Sequence, residues 1–590
     1  MVLEGVARLN LVLPEVITSG QLAIPERVIM SGSHNLISTI DYINQTLGQG
    51  GFLASWDQVK AHNRASTIYM DLVLEAMKFP LVFRDWVRML HQGASTRLLA
   101  GASGITRAIN VTFSFRQGDP AASPLYAIQQ EPFLLRVKAL CSGIRIGPSI
   151  NSHRQVDEAF CDDETIIGTD LTDVIKFNDT MKKFESQSSA MLSRSKKSKI
   201  MYLGSWKGRE DSPFAWLKVV EEVKVFGLVL TPKYSSTLRR TWEEVLNGFR
   251  KTVYSWSDRG LDSMFKKAEV FLTFAHSKLW YICQVLPLPN TIANKVESMK
   301  SSFLFRGKPE RLRIEELYNP ASKGGLGLTD IRTKGDALFL KQLARMLIRK
   351  EEDAYKHLCY WLGHHLQHQL PAMKDTAPVP RRPPPAFHQH ALTLLLEGLR
   401  WFGLEPGKLE KITAKNLYKE YTSHLPAPKI TEKFLHVNFP SDVWPRLSYS
   451  ELTAKPRQAV FDAIHGLTRN RARLHQQGRA GDPWCQLCPR MIPLQPAVSD
   501  LEHIFCSCVM VKEAWQYVRD LVFQHQQDRQ GNSDTNLVRF LFLGGNLDAE
   551  VVWLMATYKE MVQEVCLARG AKLLPRALKG RLSERLNMSQ

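Results

Sequence analysis

No apolar run in these 590 residues approaches the roughly 18 that a membrane-spanning helix needs. The opening stretch, MVLEGVARLNLVLPEVITSG, carries Glu4, Arg8 and Glu15 inside its apolar part, which excludes the pattern of a cleaved secretory leader. Cysteine is sparse, nine in the whole chain, which excludes a disulfide framework and points to a reducing, intracellular setting. Acidic residues are in the minority: 58 Asp and Glu against 77 Lys and Arg, a formal charge of +19. That imbalance suits a polyanionic partner, nucleic acid first, held by salt-sensitive contacts, where the alternative is a merely basic soluble protein. The composition is 44% hydrophobic and 23% charged, enough apolar material to exclude a largely disordered chain. At roughly 150 residues per domain, the length predicts three to four units.

The patterning is mixed. Helical spacing covers 34–47, and a short strand-like run, Phe52–Trp56, ends at Asp57. Residues 67–92 read as helical, and INVTFSF (109–115) as a strand. Ser123 followed by Pro124 is a helix-start pair, and it opens an amphipathic segment through Val137. The alternation in VDEAFCDDETIIG predicts a hairpin over 156–168. A helix over 171–190 and a strand at Lys199–Leu203 follow. From 240 to 350 the pattern is helical, broken at 285–289 and at KGGLGL (323–328), which lacks the terminal Lys-Ser/Thr of a phosphate loop and reads as a turn. PAMKDTAPVPRRPPPAF (371–387), with six prolines, is a stiff linker and the clearest boundary. Segments 388–480 and 509–585 read as helical. His364, His365, His368, His388 and His390 flank the linker; they read as polar surface, with a metal site as the alternative.

Asp57 stands at a strand end, and Asp162 and Asp163 stand in the expected hairpin turn. Adjacent carboxylates facing a third repel one another unless cations neutralise them. A pair of Mg²⁺ ions does so, and prefers a few carboxylate oxygens plus substrate phosphates to an all-protein cage. A DD in a turn is ordinarily just a solvated turn, so the neighbours must decide. Arg116-Gln117-Gly118-Asp119-Pro120 joins a strand to a helix start, and Gly118 lets the backbone approach a flat ligand.

In order along the chain, SWDQVKAHNR (55–64), FRQGDPAASPLYAIQQEPFLLR (115–136) and AFCDDETIIG (159–168) resemble successive polymerase motifs of reverse transcriptases, most closely those of non-LTR, LINE-type retrotransposons. SSAMLSRSKKSKIMYLG (188–204), VFGLVL (225–230), KAEVFLTFAHSKLWYICQVLPLP (267–289), SFLFRGK (302–308) and NPASKGGLGLTDI (319–331) continue the resemblance over about 10–345, with a second stretch near 480–520. The resemblance implies an α+β right-hand polymerase. Partial fingers would fill 1–50, the palm 51–210 and a helical thumb 211–345. A helical connector with the linker would fill 346–480, and a zinc-binding segment with a helical tail 481–590. It implies RNA-directed DNA synthesis with two Mg²⁺ ions on Asp57 and Asp162, Asp163 completing the catalytic set. It further implies dNTP or template contacts at Arg27, His62, Gln117, Gly118 and Lys196. The implied partners are an RNA template, a DNA primer or target and dNTPs, with no membrane. The implied location is the nucleus, with a cytoplasmic ribonucleoprotein stage.

The chain departs from the family pattern at His62, where Phe or Tyr is usual, at Asn63, where Asp is usual, and at Phe160-Cys161 in place of Tyr-Ala. It also begins close to the first aspartate motif, as the carboxyl-terminal part of a longer polyprotein would. A catalytically inactive, transposon-derived nucleic-acid-binding remnant is therefore the alternative expectation.

Cys485, Cys488, His503 and Cys508 make a C-x2-C-x14-H-x4-C pattern. Two thiolates from one turn, completed by His and Cys, suit a closed structural Zn²⁺ site. Cys506 competes for the fourth position; the resemblance favours Cys508, because H-x4-C matches the zinc-binding segment of these elements.

Overall fold

The computed structural model describes residues 2–584, apart from 92, 100, 102–103, 112–113, 117, 148–152, 195–196, 258, 262, 306–311, 369, 371–382, 403–408, 424–451, 489–496, 528–548 and 568–578. Helix dominates, with one five-stranded sheet, so the expected α+β mixture holds. No helix among the described residues is long and apolar enough to cross a membrane.

Contacts divide the chain into two compact units, and the division differs from the five-part expectation. Residues 1–246, 280–288 and 335–415 form one unit; 247–279, 289–334 and 416–590 form the other. The segment read as thumb is shared between both, and the connector splits at 415/416 rather than at the proline linker, most of which lies outside the described residues.

In the first unit the sheet is built from β1 (Gly51–Asp57), β2 (Asp157–Phe160), β3 (Asp163–Gly168), β4 (Lys199–Leu203) and β5 (Lys218–Val219), ordered β2-β3-β1-β4-β5. All pairs are antiparallel except β4–β5. β1 is central and almost wholly buried, which explains a sequence, GFLASWD, with little polar alternation before its last residue. Phe52, Ala54 and Trp56 share one core with Phe133, Leu134 and Val137 of helix α1 (Ala122–Leu140) and with Val174, Phe177 and Met181 of helix α2 (Thr172–Ser188). Trp56 stacks on Phe177 at 4.7 Å. Because successive strand side chains alternate, Asp57 points to the face opposite Trp56.

Several expectations shift by a few residues. The run 67–92 is two helices, Thr67–Ala76 and Leu81–His91, because Pro80 has no N–H to continue the first and Lys78 turns left-handed, φ 59°. Of the strand expected over 109–115, Ile109–Asn110 is a strand, paired with Ser95–Thr96; residues 112–113 lie outside the described residues. Helix α1 starts at Ala122, so Ser123 lies inside the first turn rather than capping it. VFGLVL lies in a hairpin, Val223–Val225 paired with Leu228–Leu230. His388 is not surface: it is fully buried, accepts or donates at Nε2 to the Ser38 hydroxyl at 3.0 Å, and stacks on Trp361.

In the second unit, residues of Asn290–Phe305, Ala454–Ile464, Lys512–Gln527 and Ala549–Leu567 enclose one core, including Leu304, Leu317, Phe461, Phe505, Val518 and Tyr558. KGGLGL is a turn, as expected. A Cβ on Gly325 would lie 1.9 Å from the Asn319 carbonyl oxygen, so only glycine fits this approach.

Candidate active site

Antiparallel register puts Asp57, the last residue of β1, directly opposite Asp163, the first of β3. Paired residues share a face, so the two carboxylates point the same way. Asp162 precedes Asp163 in the two-residue turn between β2 and β3, where Cys161 is left-handed, φ 52°. Burial raises the Asp162 carboxyl, and the Asp57 charge raises it further; burial also raises Asp163, with the charges of Asp162 and Asp57 adding to it. The three aspartates therefore form one electrostatic cluster. Among the described residues, Lys197 supplies a counter-charge: its Nζ lies 3.0 Å from Asp57 Oδ1, on an exposed side chain.

His62 sits on the short helix Ala61–Arg64, its ring 4.7 Å from that of Tyr126. Burial lowers its pKa and the Asp162 charge opposes that shift, so the ring stands beside the aspartates. Gly118 is exposed with φ 90°, and no atom lies within 4 Å of a Cβ placed there; the backbone angle, not space, selects glycine. Gln117 and Lys196 lie outside the described residues.

Arg27 departs from its expected role. Its guanidinium donates to the carbonyl oxygens of Pro14 (3.1 Å), Ile17 (2.7 Å), Thr18 and Gln21 (2.9 Å). It ties Pro14, in the last turn of the helix Val2–Val16, to Ile17, Thr18 and Gln21 of the segment that follows. The cation that meets the aspartates is Lys197, which the sequence offers only as one member of a basic cluster.

Sequence reading also missed the polar groups beneath the aspartates. Trp56 pairs with Glu164 across the strands, so Glu164 points toward helix α1. Its Oε1 accepts from Gln58 Nε2 at 3.2 Å and from Gln130 Nε2 at 3.0 Å. The Tyr126 hydroxyl donates to Gln58 Oε1 at 2.7 Å. Burial pushes the Glu164 carboxyl well above the usual carboxylate range. Gln58, Gln130 and Glu164 each stand beside other polar or charged residues (Asp57; Gln129 and Glu131; Asp163 and Thr165), so the local pattern carried no signal of their burial.

In the second unit, the ligand atoms of Cys485, Cys488, His503 and Cys508 all lie within 4.8 Å of one another. The Sγ atoms of Cys485 and Cys508 are 3.9 Å apart, those of Cys488 and Cys508 3.8 Å, and Cys488 Sγ is 3.3 Å from His503 Nε2. A tetrahedral ion with ~2.3 Å bonds to sulfur requires edges of ~3.8 Å, so the four groups fit such an ion. Cys506 is outside the cluster, and burial pushes its thiol up to about 12.

No protein-family model matches the chain. The chain is 26% identical, over 355 residues, to the Transposon TX1 uncharacterized 149 kDa protein of Xenopus laevis; the match covers 58% of this chain and 26% of that protein. The chain thus spans about a quarter of that relative's length. Among solved structures, apo telomerase from Candida tropicalis is 10% identical with a TM-score of 0.33, covering 60% of each chain. Telomerase from Candida albicans, solved in complex with a fragment of telomeric RNA, is 9% identical with a TM-score of 0.29, covering 60% of this chain and 57% of that one.

Proposed function

We propose that this chain is an RNA-directed DNA polymerase of the LINE-type retrotransposon class, adding dNTPs to a DNA 3′ end on an RNA template. The observation that carries the reading is the pairing of Asp57 with Asp163 across β1 and β3, with Asp162 beside them in the turn. The order of the motifs around these aspartates and the similarity to a transposon protein support it. In this reading the sheet is the palm of a right-hand polymerase, and the partners are RNA, a DNA primer or target, and dNTPs.

Three carboxylates, with Lys197 beside Asp57, have the donor set that hard divalent cations take, so Asp57 and Asp162 would hold Mg²⁺, with Asp163 alongside. Bound there, the ions supply Lewis-acid stabilisation of the transferring phosphate and of the primer 3′-hydroxyl as it loses its proton. Lys197 would leave Asp57 for a substrate phosphate, which its exposed, flexible stem permits. His62, resting on Tyr126 beside Asp162, would form the wall against the nucleotide sugar. Gly118 would bring its turn close to the template or base. Cys485, Cys488, His503 and Cys508 would hold a structural Zn²⁺.

The second reading, a catalytically silent nucleic-acid-binding remnant, is favoured by one observation: the Arg27 guanidinium is engaged by four carbonyl oxygens, bonds it would have to give up to meet a triphosphate. Primer extension on poly(rA)/oligo(dT) with dTTP and Mg²⁺ separates the two. Extension by the native chain, lost by two or more orders of magnitude in Asp162→Asn, is the expected result. Equal product from both chains removes Asp162 from the reaction. No product from either, with RNA binding intact, selects the remnant.

A further inference from the structure

The residues next to the three aspartates are tied together below the sheet. Gln58 follows Asp57, Glu164 follows Asp163, and Cys161 precedes Asp162. Gln21, fully buried, reaches the last of these. Its segment runs beside β2 as an extra extended neighbour, with Leu22 N donating to Ala159 O and Ala159 N donating to Gly20 O, both at 2.8 Å. Gln21 Oε1 accepts from Cys161 N at 3.1 Å and from Ala23 N at 3.0 Å. Gln21 Nε2 donates to Gln130 Oε1 at 3.0 Å.

The donor directions follow from these backbone contacts. Two N–H groups can be met only by the Gln21 oxygen, so its amide nitrogen must face Gln130. Gln130 then turns its own nitrogen to Glu164. On the other side, Tyr126 donates to Gln58, whose nitrogen also goes to Glu164. Both arms end on the same oxygen, Glu164 Oε1. All five side chains are at most 3% exposed, so no solvent competes for these bonds.

We infer that the buried network of Gln21, Gln58, Tyr126, Gln130 and Glu164 positions Asp57, Asp162 and Asp163 for divalent-cation binding. Rigidity matters here because the carboxylates repel one another, and Mg²⁺ demands near-ideal octahedral geometry. Within a strand, neighbouring Cα atoms are about 3.8 Å apart, so holding residues 58 and 164 holds 57 and 163. Gln21 does the same for the left-handed turn at Cys161. These are positioning residues, none of them a metal ligand. The inference rests on the aspartates being a cation site, as the polymerase reading requires.

The test is Mn²⁺ binding to the zinc-loaded full chain, followed by electron paramagnetic resonance without nucleic acid, with the Asp57→Asn/Asp162→Asn double variant as blank and Mg²⁺ as competitor. Loss of a partner that orients metal ligands costs about 10- to 100-fold in affinity, and Gln21→Met and Glu164→Leu should fall in that range. Glu164→Gln keeps an acceptor oxygen for both amides and should bind as the native chain does. Tyr126→Phe keeps the ring and should show a smaller loss in the same direction, which decides the matter if Gln21→Met does not fold. A purely structural network would lower the melting temperature and leave the Mn²⁺ constant untouched. Native affinity in folded Gln21→Met, or in Tyr126→Phe should Gln21→Met not fold, overturns the inference even if primers are extended. A native chain that binds Mn²⁺ at the aspartates but extends no primer overturns the polymerase reading alone. A native signal no larger than the blank overturns both.

Discussion

Single residues carry the chemistry, and two of them act contrary to their local appearance. Arg27 looks like a free cation and is engaged by the carbonyl oxygens of Pro14, Ile17, Thr18 and Gln21. Lys197 looks like one more solvated lysine and meets Asp57. A guanidinium or ammonium reveals nothing in sequence about which acceptor will stand within 3 Å, because that acceptor arrives from another element. The cysteines are more legible. C-x2-C and H-x4-C each place their ligands on one local turn, and the structure brings the pairs together, with Cys508 rather than Cys506 in the fourth position. Metal analysis of the purified chain should therefore give one zinc per molecule. Cys508→Ser should lose most of it, and Cys506→Ser should keep it. The reverse pattern would reassign the fourth ligand.

At the scale of elements, the β2–β3 hairpin and β4 are legible, because alternation over 156–168 and KIMYL over 199–203 have one reading each. The helix of 67–92 was legible except for its break at Lys78–Pro80, where turn chemistry outweighs an uninterrupted apolar pattern. The helix Ile29–Tyr42 shows what periodicity alone cannot: twelve of its residues, from Ser31 through Tyr42, are buried, polar ones included. Asp41 is among them, and burial pushes its carboxyl from 3.8 to about 7, with His388 Nδ1 3.9 Å away and the Tyr234 hydroxyl also near. A carboxyl whose folded pKa is raised keeps its proton longer in the folded state. Its contribution is favourable below about pH 4 and declines as pH rises to about 7, because only the unfolded chain ionises in that window. Chemical denaturation should accordingly show the first unit losing stability from pH 4 to pH 7. Asp41→Asn, which cannot ionise, should flatten that slope; an unchanged slope would place its origin in other carboxyls.

At the scale of the molecule, a formal charge of +19 is the property that would govern encounter with nucleic acid in the proposed function. RNA affinity should fall by at least an order of magnitude between 50 and 200 mM salt, since neutralising several phosphates releases as many counterions. A filter-binding series across that range checks it, and a flat series would argue against phosphate contacts. The ligand cluster lies within the core of the second unit, where Cys485 and Cys508 pack with Leu501, Phe505 and Val511.

Composition, motif order and local pattern determined on their own the α+β mixture, the three aspartates, the Cys/His set and the basic character. Those features depend on residues close in sequence or on simple sums. Tertiary structure alone decided that Asp57 lies opposite Asp163, that Lys197 and not Arg27 faces them, that Gln21 reaches the Cys161 turn, and that residues 335–415 belong with the first unit. Each of these is a contact between segments distant along the chain. Burial and register select such contacts among many that the same sequence pattern would allow.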